Sequence, residues 1–190
     1  MYNKNTKIML SLVAVTVLTT VGMSEAEATN WNGHVWDNDN VRYDCVSVSG
    51  ITKTSNVDPC GDLNDASNLW EFSGSTLDID GVTSGSYEIP VYAWTSGVSG
   101  AGKTVLYWNG AGDYYTGYIA MNKNLSWEDS NVDTSSDGYD WITATGHEFG
   151  HVAGVSHYSN QYYVMYSTLG ENDANRFVTT HTKNHITGNY

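Results

Sequence analysis

Eleven residues, His147-Glu148-Phe149-Gly150-His151-Val152-Ala153-Gly154-Val155-Ser156-His157, hold three of the chain's six histidines. On a helix His147 and His151, four apart, would share one face one turn apart. Two neutral imidazoles so placed can meet one Zn²⁺ at about 2.0–2.1 Å. Glu148 sits beside the first ligand and can reach a water there without ligating the metal. The combination suits hydrolysis: a metal to acidify water and a carboxylate to take its proton. Gly154 can adopt positive φ and end the helix, so that His157 arrives as a third ligand from outside it. Three protein ligands leave a fourth position open, which is the catalytic rather than the structural type of zinc site. The bland reading, of histidines hydrogen-bonded in a core or on a surface, has to explain the glycine and the third histidine at fixed spacing as accidents.

The elements needed to hold this segment are legible around it. Residues 137–154, "DGYDWITATGHEFGHVAG", read as a helix capped by Asp137 or Asp140 and closed by Gly154. Gly146 and Gly150 each cost such a helix up to ~1 kcal/mol against alanine, so packing or function must require them. Residues 30–142 are rich in Tyr, Trp, Thr, Val and Gly, a composition of strands and turns. Strands are expected near "HVWD", "VRYDCVSV", "TLDID", "YEIPVYAW", "KTVLYW" and "YTGYIAMN". The aromatics there read as core and strand-surface residues rather than a sugar-binding platform. A second helix is expected near "ENDANRFVTTHTKNH".

The chain has 190 residues and a net charge of −13. Lys4 and Lys7, the mostly apolar run Ile8 to Val21 and the Ala26-Glu27-Ala28 cleavage pattern read as a secretory signal peptide over residues 1–28. The apolar run is short for a membrane span. Its removal leaves residues 29–190 with 6 basic and 19 acidic residues. Such a surface repels phosphate backbones and argues against nucleic-acid binding. An exported protein, monomeric and without a membrane segment once the signal is gone, is the expectation. In that compartment Cys45 and Cys60 are expected to bridge; the alternative is Cys60, in "DPCGD", acting as an inhibitory thiolate on zinc.

With these residues in hand the chain resembles the metzincin zinc endopeptidases, and within them the matrixins, through "HEFGHVAGVSH" and the "VMY" centred eight residues beyond the last histidine. The resemblance implies an α+β catalytic domain: a twisted mixed β-sheet backing a zinc-binding active-site helix, with a C-terminal helix. It implies one Zn²⁺ on His147, His151 and His157, Glu148 as general base, and Met165 in a tight turn beneath the metal. It implies a peptide or protein substrate bound as an extended strand, antiparallel to a sheet edge for which "TGYIAMNKNLSW" is the candidate. Tyr166 precedes Ser167, the position where astacin- and serralysin-like metzincins carry a tyrosine, so no tyrosine is given that role here.

Two weaker patterns remain. Asp129, Asn131, Asp133, Asp137 and Asp140 fall near calcium-loop spacing, but Thr134 stands where such a loop needs glycine. A solvated acidic loop competes with Ca²⁺ there. His181 and His185 are four apart without a glutamate after the first, and read as a solvated helix face. Two functions compete with a secreted zinc endopeptidase: an exported zinc-holding or adhesive module without turnover, and a narrow peptide or cell-wall amidase.

Overall fold

The computed structural model describes residues 33–131 and 137–190, and the backbone of Thr16–Val17. The expected signal peptide otherwise lies outside the described residues. Among the described residues no helix is long and apolar enough to cross a membrane.

The main sheet has the order β1-β6-β7-β5-β2-β4. Its strands are β1 (Thr16–Val17), β2 (Asn40–Ser47), β4 (Asp78–Gly81), β5 (Ile89–Trp94), β6 (Gly102–Trp108) and β7 (Tyr114–Asn122). β4, β2, β5 and β7 run parallel, and β6 returns antiparallel on β7. β3 (Thr52–Lys53), β8 (Ser126–Glu128) and β9 (Tyr139–Asp140) form a small parallel sheet. The histidine-bearing helix α2 (Trp141–Val152) packs on β6 and on the short α1 (Asp62–Ser67), which continues into a 3₁₀ turn, Asn68–Trp70. α3 (Thr180–Thr187) closes the chain. The expected α+β architecture is present.

Five expected strands form where their composition places them. "HVWD" does not: it contributes only an isolated bridge between Trp36 and Tyr114. The expected sheet edge also moves. "TGYIAMN" is β7, hydrogen-bonded on one side to β6 and on the other to β5. Its consecutive Ile119, Ala120 and Met121 are wholly buried, the continuous apolar run of a covered strand. The edge next to α2 is β6, beyond which, among the described residues, the two residues of β1 pair, Thr16 opposite Leu106 and Val17 opposite Val105.

The C-terminal helix is shorter than expected. The chain takes a positive φ of 62° at Asn172, and Arg176 is drawn to Asp129 and Asp140. The helix starts at Thr180, with Thr179 as its cap, its hydroxyl oxygen accepting from the Thr182 amide.

Tryptophans build the core rather than a platform: Trp36, Trp70, Trp127 and Trp141 are all buried. Two of them donate to α2 itself, Trp70 Nε1 to Gly146 O at 2.7 Å and Trp36 Nε1 to Val152 O at 2.8 Å. Cys45 and Cys60 are bridged, which excludes the free-thiolate alternative for Cys60. The bond ties β2 to the approach of α1 across 15 positions, a loop closure that contributes about 3 kcal/mol through the unfolded state.

Candidate active site

Asp140 caps α2, its side chain accepting from Thr143 N at 2.7 Å. The same carboxylate is fully buried and held by Arg176, at 3.0 Å from Nε and 2.5 Å from the terminal nitrogen. An acid at a helix N-terminus meets the positive end of the dipole. Here it also carries an ion pair that ties the segment before α3 to the start of α2.

At the other end Ala153 leaves the helix and Gly154 turns at φ 84°. The Val155 amide then folds back to Gly150 O at 2.9 Å, a glycine-centred C-terminal stop. That turn brings His157 back over the helix. Its Nε2 lies 3.1 Å from Nε2 of His151 and 3.1 Å from Nε2 of His147. The three expected ligands are thus brought together.

The other ring nitrogens fix which atoms converge. His147 Nδ1 donates to Val164 O and His151 Nδ1 to Val155 O, each at 2.8 Å. This leaves both Nε2 lone pairs directed at the Nε2 of His157. Two acceptor lone pairs facing one point, beside a third ring nitrogen, suit a cation. Ligands at 2.0–2.1 Å in tetrahedral array stand about 3.3–3.4 Å apart, so the triad fits zinc with a few tenths of an ångström of relaxation. Burial, reinforced by His157, pushes the His147 imidazole down to about 4. Burial pushes His151 well below its ordinary range, with its two neighbours adding to the effect, and burial lowers His157 as well. All three are neutral at pH 7, the form that ligates.

Glu148 is 5% exposed and lies against β6. Thr104 Oγ1 donates to its Oε2 at 2.6 Å. Burial raises the carboxyl to about 7, with the Thr104 hydrogen bond opposing. A carboxyl whose proton is held and released near neutrality suits a general base.

Met165 is fully buried beneath the triad's helix. Its carbonyl accepts from Tyr158 N at 2.7 Å, so the turn is stitched to the residue after His157. The two costly glycines now have their reason. A Cβ on Gly150 would fall 2.1 Å from Met165 Sδ and 2.4 Å from Trp70 Cζ2, and one on Gly146 would fall 2.6 Å from Leu69 Cδ1. The helix gives up propensity so that the methionine turn and the 3₁₀ turn after α1 can approach it.

The expected calcium ligands are only partly among the described residues. Asp129 and Asp140 converge on Arg176, Asn131 donates its amide to Asp129, Asp137 is exposed, and Asp133 lies outside the described residues. His181 and His185 face one another on α3 with ring centroids 5.9 Å apart and are not part of the converging triad. Sequence reasoning missed Thr104 and Arg176, whose partners lie 44 and 36 positions away; neither belongs to a local motif.

No curated protein sequence matches the chain. The sequence pattern of the Matrixin family matches residues 36–190, which include every element described above except Thr16–Val17. The chain therefore belongs to the Matrixin family of zinc-dependent metalloendopeptidases.

Proposed function

We propose that the protein is a secreted endopeptidase in which His147, His151 and His157 hold one zinc ion and Glu148 is the general base. The observation that carries this is the convergence of three Nε2 atoms, two with tautomers fixed by the Val164 and Val155 carbonyls, beside a buried carboxyl. The chemistry a bound zinc supplies is acidification of water and polarisation of the scissile carbonyl. Glu148 takes the proton of the attacking water and returns it to the departing amine. Its buried setting, which pushes it to about 7, supports both halves of that transfer.

The substrate lies extended along the outer edge of β6. Backbone pairing there gives affinity with little regard to side chains. The antiparallel register of Thr16–Val17 on Val105 and Leu106 supports the reading, because it places a strand on that edge. Export is supported by the signal-like residues 1–28 and by the Cys45–Cys60 bond. Zinc is the one metal in this reading, since Arg176 already supplies the positive charge between Asp129 and Asp140 that calcium would bring.

Three substrates offered side by side test it: unfolded casein, short peptides and cell-wall peptides. The expected result is fragmentation of casein at internal bonds, stopped by a chelator. Turnover confined to the small substrates would instead make the protein a narrow amidase. Zinc bound with no turnover of any of the three would make it a binding module.

A further inference from the structure

We infer that Thr104 is a positioning residue for Glu148, and that Gly102 and Thr104 of β6 together form the seat of that carboxyl group. The inference deepens the assignment of Glu148 as base and rests on it.

A glutamate on a helix has three side-chain torsions, and its carboxyl can swing away from the attacking water unless something holds it. Among the described residues one side chain donates to it. Thr104 is 1% exposed, and its hydroxyl lies 2.6 Å from Glu148 Oε2 and 3.1 Å from the backbone oxygen of the same residue. A hydroxyl has one proton, and the nearer, charged acceptor is the stronger one. The second oxygen is placed by an absence. A Cβ on Gly102 would fall 2.7 Å from Glu148 Oε1 and 2.9 Å from its Cγ. Residues two apart on a strand face the same side, so bare Cα and hydroxyl lie in line under the carboxyl: one leaves room for Oε1 while the other holds Oε2.

The strand that does this is the edge strand on which the peptide is proposed to lie. One rigid element would then set both the register of the scissile bond and the position of the base, which fixes the distance between them. A displacement on the order of 1 Å at a catalytic group can cost 100-fold in rate.

The test measures kcat and KM on a casein-derived peptide with zinc-loaded wild type, Thr104→Val, Thr104→Ser, Gly102→Ala and Glu148→Ala. Bound zinc and circular dichroism are recorded for each. Thr104→Val keeps the shape and removes the donor. Its kcat should fall about 10- to 100-fold, the range for a hydrogen bond to a charged group, with KM within about twofold of wild type. Thr104→Ser restores the donor and should recover kcat to within about threefold. Gly102→Ala crowds Oε1 and should lower kcat with Thr104 intact. Wild-type kcat in Thr104→Val, or a change confined to KM, overturns the inference. Should Thr104→Val not fold, Gly102→Ala decides alone, and full kcat there overturns it. If Glu148→Ala cleaves like wild type, the assignment of the base has failed. If Glu148→Ala is inactive while Thr104→Val is not impaired, only the seat has failed.

Discussion

Glu148→Ala should lower cleavage of unfolded protein by about 10²- to 10⁴-fold, the usual contribution of a positioned acid or base, while the protein still binds one zinc. The two effects separate because Glu148 is not one of the three converging ligands. Its carboxyl is turned toward Gly102 and Thr104 of β6, whereas the Nε2 atoms of His147, His151 and His157 point at one another. Removing a buried carboxyl also removes a desolvation cost, the one that raises it to about 7. The variant should therefore gain stability relative to wild type as pH rises from about 4.5 to about 7, where the unfolded carboxyl ionises and the folded one does not, and the gain should level off above that. Metal analysis beside a cleavage assay checks all of this on one preparation. Loss of zinc together with activity would place Glu148 among the ligands; retained activity would remove it from the chemistry.

Gly150→Ala should destabilise the fold by about 1–3 kcal/mol, although alanine is the better helix former. The two effects oppose each other, and their sizes decide the sign. Propensity favours alanine by up to about 1 kcal/mol in a helix interior. Overpacking a filled core costs about 1–3 kcal/mol and more where the neighbours cannot move. Here the added methyl would sit 2.1 Å from Met165 Sδ and 2.4 Å from the Trp70 ring, both side chains fully buried. Trp70 is further pinned by its hydrogen bond to Gly146 O. The overpacking wins, and relief requires the methionine turn to back away from the helix that carries His147 and His151. Activity should fall along with the denaturation midpoint. Gly110→Ala is the control: nothing lies within 4 Å of a Cβ there, and its midpoint should not move. A more stable Gly150→Ala would mean that the glycine is not there for packing.

The ligands were legible in the sequence because the site is local. Helix periodicity, one glycine and a fixed spacing bring His147, His151 and His157 together within eleven residues, and no long-range pairing is needed to see it. Gly146 and Gly150 were legible as an anomaly, two poor helix residues in a helix, but not as contacts. Their partners, Leu69, Trp70 and Met165, come from two separate segments.

The edge of the sheet was not legible. β6 and β7 both read as strands, and only the pairing of β7 with β5 decides which of them is left open. α1 escaped notice because six residues, Asp62 to Ser67, are too few to show a period, and Asp, Asn and Ser favour turns over helices. The start of α3 depended on Arg176, whose pull toward Asp140 is a tertiary interaction. Thr104 shows the limit most plainly. A threonine in a strand says only that the strand is a strand, and its bond to Glu148 spans 44 positions.

One zinc ion, held by the three histidines, is proposed to make this protein a peptidase. The direct measurement is the rate of casein cleavage by metal-stripped protein as zinc is returned in known amounts. No cleavage is expected at zero zinc, then a rise in proportion to zinc up to one equivalent, and a plateau beyond it. His157→Ala, with one of three ligands gone, should show no such break. Full cleavage by the stripped protein, or the same break at one equivalent in His157→Ala, would contradict it.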